Sequence, residues 1–122
     1  LPAFSIGLFS MAVLNLNNMR DEHNDKENKK NTLVVKMGLK KAKIYHYILI
    51  LVGMGLLLIH SYLTALSFWQ WLFVIPFIIL VKHLFFVKKT KENRELDPEL
   101  KKVALSTFLI SILTFLGIYL SC

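Results

Sequence analysis

Residues 44–63 read IYHYILILVGMGLLLIHSYL, a run of twenty residues without a Lys, Arg, Asp or Glu. A helix needs about 20 apolar residues to cross the roughly 30 Å hydrocarbon core of a bilayer. Residues 66–81 form a second such run, which continues past Lys82 and His83 to residue 87, and residues 103–120 form a third. A helix that is apolar on every side belongs in lipid or in a deep core. Because 122 residues cannot bury three such helices, we predict an all-α, multi-pass transmembrane helical bundle.

A fourth apolar run, residues 1–16, is shorter than a full span. We expect it to be the end of a truncated helix over residues 1–19, with a natural short or re-entrant segment as the alternative. The further helices are predicted at residues 44–63, 66–87 and 98–120. Cys122 is the only cysteine, so the sequence allows no disulfide within the chain.

All fifteen Lys and Arg residues lie in two blocks, residues 20–43 and 82–102. A chain that crosses the membrane at every apolar run places both blocks on one side, and the positive-inside rule makes that side the cytoplasm. This topology accounts for the net charge of +7. We therefore expect the lipid bilayer as a partner and no nucleic acid.

Smaller signals concern the ends of the helices. Asp97 is predicted to cap the last helix, with Pro98 at its first helical position. The histidines His46, His60 and His83 lie at or near predicted helix ends, so we expect them to pack at the membrane interfaces.

The candidate chemistry lies where the first apolar run meets charge. On a helix, Asn17, Asp21 and Asp25 recur every fourth residue and share one face. Two carboxylates at this spacing repel each other, and a divalent cation between them removes the conflict. Mg²⁺ suits such a place because it binds through one or two carboxylates and completes its octahedron with water and phosphate oxygens. The pattern alone is equally compatible with carboxylates that only balance neighbouring lysines on a solvated segment.

Residues 17–38, NNMRDEHNDKENKKNTLVVKMG, resemble the second aspartate-rich motif of the UbiA prenyltransferase superfamily. The form NNxRDxxxDxxxxKxTLxVxxG is most similar to the members that prenylate dihydroxynaphthoate, as is the later LDPELKK at residues 96–102. The resemblance extends over nearly the whole chain and is most specific in residues 17–38.

The resemblance implies a fold and a site. Residues 1–122 would be the C-terminal part of a single integral-membrane domain, supplying about the last four of nine helices, with residues 20–43 as its cytoplasmic aspartate-rich segment. A first aspartate-rich motif is absent from the sequence. The implied roles are metal binding for Asp21 and Asp25, diphosphate contacts for Arg20 and Lys30, and a place in the cavity wall for Asn17. Lys29 stands where relatives often have glycine, which leaves its role open.

The resemblance also implies a reaction and a location. The expected activity is Mg²⁺-dependent transfer of a polyprenyl group from polyprenyl diphosphate to 1,4-dihydroxy-2-naphthoate. It forms demethylmenaquinol with loss of diphosphate and carbon dioxide, in the bacterial inner (plasma) membrane. Two alternatives stay open at this point, namely a relative that uses another aromatic acceptor and a non-catalytic helical membrane module.

Overall fold

The chain folds into helices that pack side by side. The computed structural model describes residues 1–64 and 67–122, and these residues contain no strand. The elements in chain order are α1 (Pro2–Arg20), α2 (Glu22–Glu27), α3 (Leu33–Met37), α4 (Leu39–Thr64), a 3₁₀ segment (Phe68–Val74), α5 (Phe77–Lys89), a second 3₁₀ segment (Asn93–Glu95) and α6 (Leu96–Ser121). The predicted all-α membrane fold is confirmed.

The core lies where α1 packs against both α4 and α6, with α5 set against α6. Phe9 and Leu16 of α1, Ile50 of α4 and Ile110 of α6 are fully buried there. Large apolar side chains on the outer faces stay exposed, as in helices whose outer surface meets lipid. Among the residues that the structure describes, three segments are long and apolar enough to cross a membrane: Leu39–Thr64, Phe68–Lys89 and Asn93–Ser121.

The second of these segments is not the continuous helix expected over residues 66–87. It begins as a 3₁₀ helix, turns at Ile75 and Pro76, and only then becomes α5. Proline has no backbone N–H to donate, and its ring collides with the carbonyl of the preceding turn, so the helix restarts after it. Leu66, the first residue of the predicted helix, lies outside the described residues.

The start of α6 also differs from the prediction. Asp97 is not its N-cap, because the 3₁₀ segment Asn93–Glu95 runs directly into a helix that begins at Leu96. Glu95, at the cap position, has helical dihedral angles and makes no side-chain capping bond. The Asp97 carboxylate instead accepts a hydrogen bond from Arg20, 77 residues earlier in the chain.

Two of the histidines that were predicted to pack at the membrane interfaces are buried inside the bundle. His46 of α4 and His83 of α5 are 0% and 1% exposed, and their Nε2 atoms are 2.8 Å apart. His83 Nδ1 lies 2.7 Å from Oε2 of Glu99 in α6, and Lys102 Nζ donates to the other carboxylate oxygen at 2.7 Å. A chain of polar contacts therefore joins α4, α5 and α6 inside the bundle.

Candidate active site

The C-terminal end of α1 is organised around Arg20. Its Nε donates to Oδ1 of Asp21 at 2.8 Å, and its Nη2 donates to Oδ2 of the same carboxylate at 3.1 Å. Nη2 also donates to Oδ1 of Asn17 at 2.9 Å, and Nη1 donates to Oδ1 of Asp97 at 2.8 Å. A guanidinium has five N–H donors. Arg20 thus directs four of them at groups of its own chain.

The charges of Arg20 and Asp21 stabilise each other. The hydrogen bond from Arg20 holds the pKa of the Asp21 carboxyl below its usual value, although partial burial opposes the shift. The positive charge of Lys30 acts in the same direction as Arg20. The same Asp21 contact raises the pKa of Arg20. Asp21 is therefore an anion at neutral pH, and its side chain stays 35% exposed.

Asp25 lies one helical turn further on, in a different environment. Its backbone N–H donates to the Asp21 carbonyl at 2.8 Å, so the turn between them is helical. The Asp25 side chain is only 9% exposed, and Lys30 Nζ lies 3.9 Å from its Oδ1. The predicted site residues thus form two groups: Asn17, Arg20 and Asp21 in one, and Asp25 with Lys30 in the other.

The turn after α2 explains how Lys30 reaches Asp25. Lys30 N–H donates to the Asp25 carbonyl at 2.8 Å, and Lys29 N–H donates to the Lys26 carbonyl at 3.2 Å. These two bonds form a Schellman motif, which requires a left-handed residue after the helix. Lys29 is that residue, with φ of 57°. Glycine adopts this conformation most readily, so the glycine expected at this position reflects backbone geometry rather than chemistry.

An open pocket of about 640 Å³ lies beside this cluster. Its lining residues come from the end of α1, from α2 and from the segment that enters α6: Arg20, Asp21, His23, Asn24, Glu27, Asn93, Arg94 and Asp97. Of the predicted site residues, Arg20 and Asp21 line the pocket, whereas Asn17, Asp25 and Lys30 do not.

Sequence reasoning missed the contribution of the segment before α6. Asn93 donates from Nδ2 to Oε2 of Glu22 at 3.3 Å, and Asp97 binds Arg20, so this segment is tied to both α1 and α2. Arg94 lies between the two contacts and lines the pocket. No local pattern predicts these pairings, because more than 70 residues separate the partners. His23 is exposed and also lines the pocket.

The side chains near Asp21 can be compared with those that bind Mg²⁺, the metal that the family resemblance implies. Within residues 1–64 and 67–122, no three His, Cys, Asp or Glu side chains are arranged to hold a metal ion. The partly exposed Asp21 carboxylate, with Asp25 one turn away, offers oxygen atoms of the kind that Mg²⁺ prefers. Mg²⁺ usually takes only one or two carboxylates and fills its other positions with water and substrate oxygens. The residues present fit that mode of binding and not an all-protein cage.

Comparison with known proteins agrees with the family resemblance. The model of the UbiA prenyltransferase family matches residues 1–113. The chain, with its apolar helices and the charged pocket beside them, therefore belongs to the UbiA prenyltransferase family.

Two curated relatives share a more specific name. The 1,4-dihydroxy-2-naphthoate octaprenyltransferase of Haemophilus influenzae is 41% identical over 97% of this chain and 38% of its own length. The protein of the same name from Escherichia coli is 38% identical over 99% of this chain and 39% of its own length. The chain therefore spans less than two fifths of the length of these relatives. No solved structure is significantly similar to it.

Proposed function

We propose that this chain contributes one part of the active site of a prenyltransferase that acts on 1,4-dihydroxy-2-naphthoate. The donor is an allylic polyprenyl diphosphate, and the products are demethylmenaquinol, diphosphate and carbon dioxide. The names of the two relatives support the acceptor. The observation that carries the proposal is the pocket beside Arg20 and Asp21, which places charged groups at the end of apolar helices.

This placement suits a substrate with a charged head and an apolar tail. The head of a polyprenyl diphosphate can enter the polar pocket while its tail remains at the level of the apolar helices. Cleavage of the allylic C–O bond leaves negative charge on the diphosphate, and cationic groups held in place before the reaction stabilise that charge. Two guanidinium groups, on Arg20 and Arg94, line the pocket.

Asp21 and Asp25 are proposed as the residues that hold Mg²⁺. The ion would supply additional positive charge to the diphosphate oxygens. Asp21 is exposed to the pocket, and Arg20 keeps its carboxylate ionised and oriented. Asp25 would be the second ligand of that ion, and at present its carboxylate lies 3.9 Å from the largely exposed ammonium of Lys30.

An assay of the complete gene product tests the proposed function. We expect the purified protein in lipid to convert 1,4-dihydroxy-2-naphthoate and a polyprenyl diphosphate to the prenylated product, and we expect EDTA to stop the reaction until Mg²⁺ is restored. A parallel assay with 4-hydroxybenzoate provides the acceptor control. Transfer to hydroxybenzoate but not to the naphthoate would assign the protein to another branch of the family, and transfer to neither would contradict the proposal.

The proposed location is the bacterial inner membrane, with residues 20–43 and 82–102 in the cytoplasm. The positive-inside rule supports this orientation. We expect an impermeant thiol reagent added to intact spheroplasts to label Cys122 and to leave single cysteines at positions 28 and 92 unlabelled in a variant without Cys122. Each position is exposed, so accessibility in the fold is matched. Labelling at positions 28 and 92 without labelling at Cys122 would show that the protein has the opposite orientation in the membrane.

A further inference from the structure

Arg20 has little capacity left for a ligand. Four of its five N–H donors bind Asp21, Asn17 and Asp97, and both of its acidic partners are anions that offset its charge. The Nε–Asp21 and Nη1–Asp97 distances, both 2.8 Å, are those of charge-assisted hydrogen bonds. This geometry fits a residue that orients Asp21 better than one that binds an incoming phosphate group.

Arg94 is the other guanidinium of the pocket, and its donors are not engaged. Its side chain is exposed and forms no hydrogen bond or ion pair with any residue in the described parts of the chain. Lys30, the second cation that the family resemblance suggests, does not line this pocket and lies nearest Asp25. Arg94 is therefore the cation in the pocket that is available to an anion.

The backbone around Arg94 is held in place on both sides. One residue before it, Asn93 is 8% exposed and donates to Glu22 of α2. Three residues after it, Asp97 accepts from Arg20 at the end of α1. The second 3₁₀ segment thus carries Arg94 between two anchors, so little backbone ordering is required when a ligand binds.

The charge of the pocket points to the class of ligand. Two guanidinium groups and three carboxylates line it, which leaves one net negative charge if His23 is neutral. A divalent cation held by Asp21 would make the net charge of the pocket positive, and the pocket would then attract a diphosphate. The planar fork of arginine matches two phosphate oxygens at once, which a lysine ammonium cannot do.

We propose that Arg94 binds the diphosphate group of the prenyl donor, and that Arg20 is a positioning residue for Asp21. The assignment rests on the proposed function for the identity of the donor. It gives the segment before α6, outside the aspartate-rich motif, a direct part in substrate binding.

The test compares Arg94→Gln with Lys91→Gln in the complete gene product. Lys91 belongs to the same connection and is also exposed, but it does not line the pocket. Loss of a hydrogen bond to a charged group corresponds to a change of about 10- to 100-fold in affinity. We expect Arg94→Gln to raise the KM for the polyprenyl diphosphate and the inhibition constant of inorganic pyrophosphate by that factor. The KM for the naphthoate should not change. Arg94→Lys should fall between wild type and Arg94→Gln, and Lys91→Gln should match wild type.

Equal donor KM values for wild type and Arg94→Gln would overturn the assignment, and so would equal effects of Arg94→Gln and Lys91→Gln. A second measurement separates this failure from failure of the proposed function. Pyrophosphate binding in the presence of Mg²⁺ is measured by calorimetry and needs no turnover. If wild type binds pyrophosphate but transfers no prenyl group, the proposed function is wrong. The effect of Arg94→Gln on the affinity for pyrophosphate still decides whether Arg94 binds the diphosphate.

Discussion

Replacement of Asp21 or Asp25 by asparagine in the complete gene product is expected to lower the rate of prenyl transfer by ~10²–10³-fold, the usual cost of one lost contact to developing charge. Asparagine has nearly the size of aspartate but no charge, so the helical turn that joins the two residues should survive. We therefore expect both variants to accumulate in the membrane and to unfold at nearly the wild-type temperature.

The two carboxylates differ in a way that the assay can resolve. Asp21 is bound by Arg20 and is exposed to the pocket, whereas Asp25 is buried beside Lys30. If metal affinity is what each variant loses, a higher Mg²⁺ concentration should restore part of the activity in both. Asp97→Asn removes the other acidic partner of Arg20 and leaves both proposed metal ligands, so we expect it to have a smaller effect without rescue by Mg²⁺.

Glu22→Gln is the matched control for the loss of a carboxylate. Glu22 belongs to the same short helix as Asp25 but does not line the pocket, and glutamine can still accept the hydrogen bond from Asn93. Near-wild-type activity is expected. If Glu22→Gln were as damaging as the two aspartate variants, or if Mg²⁺ had no effect on any of them, the metal assignment would be wrong.

The largest effect on stability is expected at His83. His83→Ala removes a buried ring that contacts both His46 and Glu99, and it leaves the nearly buried Glu99 carboxylate with Lys102 as its remaining partner. Loss of a hydrogen bond to a buried charged group costs about 1.5–3 kcal/mol of unfolding free energy, and the cavity left by the ring adds to this cost. Denaturation in mild detergent, followed by circular dichroism, measures the loss.

His46→Ala is the control for the cavity, because His46 is the same residue type and equally buried. A carboxylate only accepts hydrogen bonds, so His83 Nδ1 carries the proton toward Glu99, whereas His46 contacts the ring of His83 at Nε2. His46 thus lacks a direct contact with the carboxylate. We expect His83→Ala to destabilise the protein by about 1.5–3 kcal/mol more than His46→Ala does, the value of a hydrogen bond to a charged group. Equal losses would show that packing, and not the contact with Glu99, accounts for the cost.

Local sequence patterns predicted the membrane helices but not all of their boundaries. Uncharged runs predicted the membrane helices, because the helical period and the length of a span are local properties of sequence. The same reasoning extended the second span through Pro76, where the structure has a 3₁₀ segment and a turn. It also made α4 too short, since the helix begins at Leu39 and includes the lysines that precede residue 44.

Local sequence patterns also predicted only part of the candidate site. Spacing along one helix predicted that Asn17 and Asp21 share a face, and the family resemblance added Arg20. The structure places these three residues in one hydrogen-bonded cluster. Spacing also placed Asp25 on the same face, but the structure buries its side chain and leaves it out of the pocket. Burial depends on what packs against a helix, and the sequence of that helix does not contain this information.

The sequence by itself determined that this is a helical membrane protein with a charged, aspartate-rich segment, because hydrophobicity and charge act residue by residue along the chain. Only the tertiary structure decided which distant residues complete the site. Asp97 binds Arg20 rather than capping its own helix, and Arg94 reaches the pocket because its neighbours are tied to α1 and α2. The histidines of α4 and α5 likewise meet inside the bundle because the packing of three helices brings them within hydrogen-bond distance. Such contacts depend on how helices far apart in sequence pack together, and no pattern within one segment encodes them.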